Sequence, residues 1–237
     1  MTNKNGVFIT SAINANNDSV FKPQDRFIQT LRTIETVRER VPNSVIFLVD
    51  SSVTELDVDM KKQIVDKVDY FVDFSKDATL KQIANQPHKD TLQNFSELIT
   101  LIKAFSVIKN KKLFDDCDRI FKISGRYYLT ENFDISRHNH NNKFVFFKKT
   151  LSQFPFVLSK QSLQYMTRTF SFDAALLDTF IGYMKTMLEH MQETSNDKRY
   201  IDMEHSFCKF IPQESIVELG RMGVAGLISK TGTPIED

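Results

Sequence analysis

Two hydrophobic patterns alternate along this chain, and that alternation limits the fold more than any other feature. Val7-Phe8-Ile9 is a short continuous apolar run closed by the small polar pair Thr10-Ser11. Behind it, "QDRFIQTLRTIETVRERV" places Phe27, Leu31, Ile34, Val37 and Val41 at helical spacing. A second run, Val45 to Val49, precedes a helical stretch with Ile64, Val65 and Val68; a third, "YFVDF" at 70–74, precedes a long amphipathic helix. That helix carries Leu92, Phe95, Ile99, Ile102 and Phe105 on one face. Arg119 to Ile123 is the fourth run, and "KFVFFKK" from Lys143 the fifth. Runs apolar on both faces, separated by helices, point to a parallel sheet covered on both sides. The expected class is α/β, a single-domain open, mostly parallel sheet with helices on both faces, reading βαβαβαβ over the first ~128 residues.

The second half is less regular. A strand is expected at 153–158, then a helix with Leu177, Ile181, Met184, Leu188 and Met191 in register. "QETSNDKR" reads as a polar break and "YIDMEHSFCKFI" as a short helix. We expect one domain over 1–237, in two halves of different pattern, 1–128 and 129–237. With 41% hydrophobic residues the chain can fill such a core. Its net charge of +1 argues against a general nucleic-acid binder, which carries a basic excess. Two cysteines, Cys117 and Cys208, make neither a disulfide framework nor a four-ligand zinc site. The start "MTNKNGVFIT" has no apolar h-region, and no apolar run is long enough to cross a membrane. A cytoplasmic protein without a transmembrane segment is the expectation.

In open α/β sheets ligands bind outside the carboxyl ends of the strands. Those ends read Thr10-Ser11-Ala12-Ile13-Asn14, Asp50-Ser51-Ser52 and Ser124-Gly125-Arg126-Tyr127. They are small and polar, with one carboxylate and one guanidinium, which suits a ribose, a base edge and phosphates. Strand ends that face loops are polar on general grounds too. No G-x-G-x-x-G, G-x-x-x-x-G-K-[ST] or G-x-S-x-G string occurs, which removes the usual dinucleotide, P-loop and hydrolase readings.

The order "VFITSAIN", "VIFLVDSS" and "FKISGRYYL" resembles the nucleotide-diphosphosugar glycosyltransferases of GT-A type. Within them it is most similar to bacterial and viral surface-polysaccharide enzymes with a K-x-[ST]-G-R-Y segment; the tail "ELGRMGVAGLISKTG" resembles theirs as well. The resemblance implies transfer of a sugar from a nucleotide-sugar donor to a hydroxyl of a glycan or polysaccharide acceptor. Thr10, Ser11, Asn14, Asp50, Ser51 and Ser52 would hold the nucleotide, while Lys122, Ser124, Gly125 and Tyr127 would approach the diphosphate and sugar.

Most such enzymes hold a divalent cation with D-x-D at the fourth strand end, where this chain has Ser124-Gly125-Arg126. Asp116-Cys117-Asp118 lies at a strand entry and Asp57-Val58-Asp59 at a helix start, where the helix dipole favours carboxylates by ~0.3–1 kcal/mol. Both read as structural. No D-x-D-bound metal is expected, although Mg or Mn stays open as a cofactor. Arg126 offers a substitute, a fixed cation facing the leaving diphosphate, worth ~3–4 kcal/mol in a dry site. Its alternative is a surface ion pair with Glu131. Lys122 either snorkels from an edge or reaches the same phosphate.

A base for the acceptor hydroxyl is sought in "YIDMEHSFC", where the resemblance implies an acidic residue, Asp202 or Glu204. Asp202 could equally cap the helix, with His205 three residues on as its partner. His138 and His140 in "RHNHNN" read as a solvated connection. Tyr127 and Tyr128 stack on a ligand or join the core, and Gly220, Gly223 and Gly226 permit a tight turn near the sheet or the donor. A non-catalytic nucleotide- or glycan-binding module is the alternative, favoured by the missing D-x-D. A nucleotidyltransferase would need more strand-end carboxylates than Asp50 supplies.

Overall fold

The computed structural model describes residues 4–15, 19–84, 89–196 and 201–237. Its seven-stranded sheet is built around β1 (Asn5–Ser11), which lies parallel between β2 (Ser44–Asp50) and β4 (Arg119–Ser124). β3 (Tyr70–Asp73) adds a parallel edge on β2. The period of two along β1 sorts its side chains. Val7 and Ile9 meet Phe27, Ile34 and Val37 of α1 (Pro23–Arg40). Phe8 points to the other face, into a core shared with α4 (Lys89–Asn110) and α6 (Leu177–Asn196).

Sheet order runs on through strands from the second half, as β10-β6-β9-β4-β1-β2-β3. β6 (Phe144–Phe147) and β10 (Ile216–Leu219) are parallel to each other. β9 (Thr169–Asp173) runs antiparallel between β4 and β6. β9 was not expected: Thr169 and Ser171 interrupt its apolar residues, so it lacks the continuous run that marks β1, β2 and β6. A second, antiparallel sheet joins β5 (Tyr127–Leu129), β11 (Val224–Leu227) and β12 (Pro234–Glu236).

Several expectations are corrected. Residues 153–158 do not form a strand: two residues each in β7 (Thr150–Leu151) and β8 (Leu163–Gln164) pair, and between them stands a one-turn helix, α5 (Phe156–Ser159). Pro155 precedes that helix and Lys160 closes it in the left-handed region at φ 55°, so "FPFVLSK" turns instead of extending. α4 buries Phe95, Leu98, Leu101, Phe105 and Ile108, leaving Ile99 and Ile102 on the flank of the face; the Leu92 side chain lies outside the described residues. α6 continues through Asn196 into the expected polar break, whose last residues are also outside them. A further helix, α3 (Ala78–Ala84), precedes α4, while α2 (Val58–Val65) follows Asp57, whose carboxylate accepts from the Asp59 and Met60 amides as a cap. His138 is not solvated. It is 2% exposed, 5.1 Å from the Phe121 ring and 5.4 Å from Phe133, with Nδ1 2.8 Å from Ser171 Oγ. No described helix is long and apolar enough to cross a membrane.

Candidate functional site

β4 leaves the main sheet at Ser124 and β5 enters the small sheet at Tyr127, so Gly125 and Arg126 form the junction between them. The Gly125 amide donates to Thr10 O (2.7 Å), extending the β1–β4 pairing by one bond. On the other side α1 presents Thr30, Thr33 and Thr36 at helical spacing. Thr30 Oγ1 lies 3.2 Å from Gly125 O, Thr33 Oγ1 donates to Tyr127 O (2.6 Å), and Thr36 Oγ1 accepts from the Leu129 amide (3.1 Å). This seam fixes the backbone that carries Arg126. A Cβ on Gly125 would stand 3.1 Å from Thr30 Oγ1 and 3.3 Å from Thr10 O, so the approach suits glycine.

The carboxyl ends of β1, β2 and β4 open into a cleft of about 830 Å³. Thr10, Ser11, Ser51, Ser52, Ser124, Gly125 and Tyr127 line one side; Lys81, Glu97 and Thr100 come from α3 and α4, and Ile228 to Lys230 close the rim. Arg126 faces this cleft and forms no ion pair among the described residues, with Glu131 or any other carboxylate. Arg26 stands near it, buried, donating from Nη1 to Ala12 O (3.2 Å) and from Nη2 to Ser19 and Ser229 Oγ. Burial, then the nearby Arg126 charge, lowers the Arg26 pKa to about 10. Two neighbouring guanidiniums line a cleft in which Glu97 is the one carboxylate among the described residues, a charge balance suited to an anion.

Other anticipated residues lie beneath the cleft surface. Asp50 is fully buried, its oxygens accepting from the Ile13 (3.2 Å) and Ser52 (3.0 Å) amides; burial raises its pKa. It ties the ends of β1 and β2 together. Asn14 holds the adjoining loop through the carbonyl of Glu55 (2.9 Å). Lys122 neither snorkels nor lines the cleft: at 0% exposure its Nζ donates to Ser124 Oγ (2.7 Å) and Thr167 O (2.8 Å), with Glu97 at 3.8 Å. Asp202 is the cap of α7 (Met203–Phe210), accepting from the His205 amide (2.9 Å) and contacting His205 Nδ1. Glu204 accepts from Thr167 Oγ1 (2.7 Å), and burial, then Asp202 and Glu97, raises its pKa to about 7. Tyr127 is buried at the cleft wall, and Tyr128 lies under the Arg32 guanidinium at 3.4 Å.

The residues missed by sequence reasoning are Arg26, Glu97 and Thr100. Arg26 shares the helical spacing of Thr30 and Thr33, a polar seam beside the apolar stripe of α1, and that seam was the available signal. Glu97 and Thr100 carry no such mark. Thr100 Oγ1 is buried with no hydrogen-bond partner among the described residues, a hydroxyl left over in the cleft wall.

A resident Mg²⁺ or Mn²⁺ does not fit these residues. The strand end that would supply carboxylates supplies a serine, a glycine and a guanidinium, and Glu97, in a lining that also holds Arg26, Arg126 and Lys81, stands 3.8 Å from Lys122 Nζ. Among the described residues no three His, Cys, Asp or Glu side chains group for a metal.

No family model matches the sequence, and no curated protein matches it significantly. Solved structures do match the fold. The galactosyltransferase LgtC, in complex with donor and acceptor sugar analogs, aligns with a TM-score of 0.52 and 8% identity, over 90% of this chain and 72% of that one. Mouse xyloside xylosyltransferase 1 gives 0.53 and 9%, over 92% and 84%. The mannosyltransferase Ktr4p from S. cerevisiae, in complex with GDP, gives 0.57 and 10%, over 94% and 71%. The chain thus has the fold of the GT-A glycosyltransferases.

Proposed function

We propose that this protein transfers a sugar from a nucleoside-diphosphate donor to a hydroxyl of a glycan, with cationic side chains taking the place of a D-x-D-bound metal. The observation that carries this reading is Arg126, a guanidinium without a carboxylate partner among the described residues, on the junction after β4 and beside the buried Arg26. The nucleoside lies against the ends of β1 and β2, where Thr10, Ser11, Ser51 and Ser52 offer hydroxyls and backbone groups. As the acceptor oxygen bonds to the anomeric carbon, the bond from that carbon to the diphosphate oxygen breaks, and its electron pair leaves with the diphosphate. Arg126 faces the charge that develops, a contact of ~3–4 kcal/mol in a water-poor site. The acceptor proton passes to a carboxylate. Glu97 takes that role in our reading because it lines the cleft, whereas Asp202 is committed to its cap. Glu204, with its pKa near 7, stands behind Lys122 as a reserve.

The test is Arg126→Ala, assayed by release of free nucleoside diphosphate from a panel of nucleotide sugars with a glycan acceptor. Turnover should fall by about a hundredfold or more, with the melting temperature unchanged. Undiminished turnover would remove Arg126 from the chemistry. A second reading, a binding module without transfer, is favoured by the engagement of Asp202 as a cap. Nucleotides that raise the melting temperature while no nucleotide sugar is ever cleaved would select it; a ligand at 100 times its Kd stabilises by ~2.7 kcal/mol.

A further inference from the structure

Among the described residues, five of the twelve exposed large hydrophobic side chains fall between residues 151 and 163: Leu151 (78%), Phe156 (61%), Val157 (68%), Leu158 (43%) and Leu163 (38%). Scattered apolar residues on a surface are ordinary; a cluster is not. Leu151 and Leu163 are directly paired across β7 and β8, and the other three follow one another on the single turn of α5. The strap's polar groups point the other way. Ser152 Oγ donates to Phe154 O (2.8 Å) and lies 2.8 Å from His205 Nε2; the Gln153 amide donates to Gln164 Oε1 (3.2 Å). Ser159 Oγ donates to Gln161 O (2.8 Å), and the Tyr165 amide donates to Glu204 O (3.2 Å). The strap is therefore fastened to α7 by polar bonds, with apolar atoms outward, the reverse of an ordinary surface loop.

Charge separates the same region from the rest of the chain. Residues 135–172 contain no Asp or Glu, although the whole chain has 30 of them against 31 Lys and Arg. Lys149 pairs with Glu218 and Arg168 with Asp237, both from outside the segment. Lys148 and Lys160 are exposed beside the strap without a carboxylate partner among the described residues, and the Lys160 Nζ sits 5.9 Å from the Phe156 ring.

We propose that the 151–163 strap is a membrane-docking surface that seats its apolar tip in the interface of an anionic lipid bilayer. Successive residues on a helical turn diverge by about 100°, so Phe156, Val157 and Leu158 radiate from a tip and do not share a face. A partner protein would have to enclose such a tip in a matching pocket, whereas acyl chains close around it from every side. Lysines at the rim reach headgroup phosphates while their stems stay apolar. The proposal is independent of the donor chemistry.

The experiment is co-sedimentation of the full chain with phosphatidylcholine vesicles, with and without phosphatidylglycerol. The wild type should pellet with the anionic vesicles and weakly with the neutral ones. Phe156→Ser/Val157→Ser should abolish pelleting with an unchanged melting temperature, since both side chains are exposed. Lys148→Ala/Lys160→Ala should weaken anionic binding by about fivefold per lysine and lose its salt sensitivity. Wild-type protein that stays in the supernatant overturns the proposal, as does equal pelleting of the serine double variant. A dimer that the serine variant dissociates, without vesicle binding, also overturns it and names a second copy as the occupant.

Discussion

Lys122 and Glu204 are joined beneath the cleft by one residue: Lys122 Nζ donates to the Thr167 carbonyl (2.8 Å), and the Thr167 hydroxyl donates to Glu204 Oε1 (2.7 Å). Burial lowers the Lys122 pKa, and the carboxylates of Glu97 and Glu204 oppose that shift. Lys122→Met would leave the Thr167 carbonyl without its donor and remove the buried cation that Glu97 and Glu204 interact with. The expected loss at pH 8 is about 3–5 kcal/mol by urea denaturation, and adding Glu204→Gln should return at least about 1 kcal/mol of it. A neutral Lys122→Met would show that the network contributes nothing.

Glu204 also sets a pH dependence. Its carboxyl titrates at about 7 in the fold against 4.5 in the open chain, because burial and then Asp202 and Glu97 disfavour its charge. The folded state therefore holds the proton more tightly. The stability this gives is complete below about pH 4.5 and is lost as pH rises through about 7. Glu204→Gln should flatten the melting temperature across that window, and an unchanged slope would reject the shift.

His138 acts in the opposite direction. Burial first, then Arg119 and Arg137, lowers its pKa from 6.5 to about 3. Arg119 Nε donates to Ser171 Oγ (2.9 Å), which leaves the hydroxyl proton free to turn toward His138 Nδ1. Stability from the neutral imidazole is present above pH 6.5 and is lost as pH falls toward 3, at up to about 1.4 kcal/mol per pH unit. His138→Phe should cost about 1–3 kcal/mol at pH 7 through the unpaired hydroxyl, yet shrink the loss between pH 6.5 and 4. Urea midpoints at the two pH values decide it.

The three tail glycines should respond differently to alanine. Gly220 has nothing within 4 Å of an added Cβ, so Gly220→Ala should change stability by less than about 0.5 kcal/mol. At Gly223, φ is +69° and the Cβ would stand 2.3 Å from the Phe133 backbone. At Gly226 it would stand 2.6 Å from Arg126 O. Both substitutions should cost at least about 1–3 kcal/mol, and Gly226→Ala should also weaken nucleotide binding by displacing the Arg126 backbone. Equal effects at all three positions would contradict this.

The sheet was legible where burial on both faces writes a largely apolar run, as in β1, β2, β4 and β6, even though β4 also buries Arg119 and Lys122. β9 was hidden because Thr169 and Ser171 satisfy their hydroxyls inside the protein, at Lys122 O and at Arg119 with His138. "FPFVLS" suggested a strand through its aromatic and branched residues, a preference that measures burial on a pleated surface and fails at an exposed tip. The three strand ends were readable from position alone, and they do converge on the cleft. Which of their side chains face it was not readable. Asp50 and Lys122 look like ligands in one dimension, yet their charges are met by Ile13, Ser52, Ser124 and Thr167. Arg26 looks like a solvated helix residue and is buried beside Arg126.

Because Gly125 and Arg126 are the covalent joint between the large sheet and the small one, an anion held there would touch more than a binding pocket. Arg26 reaches from α1 to Ser229 in the tail, and the tail strands β11 and β12 hang from β5, which begins immediately after Arg126. A bound anion would close a loop of contacts through both sheets, acting as a keystone whose departure loosens the small sheet against the large.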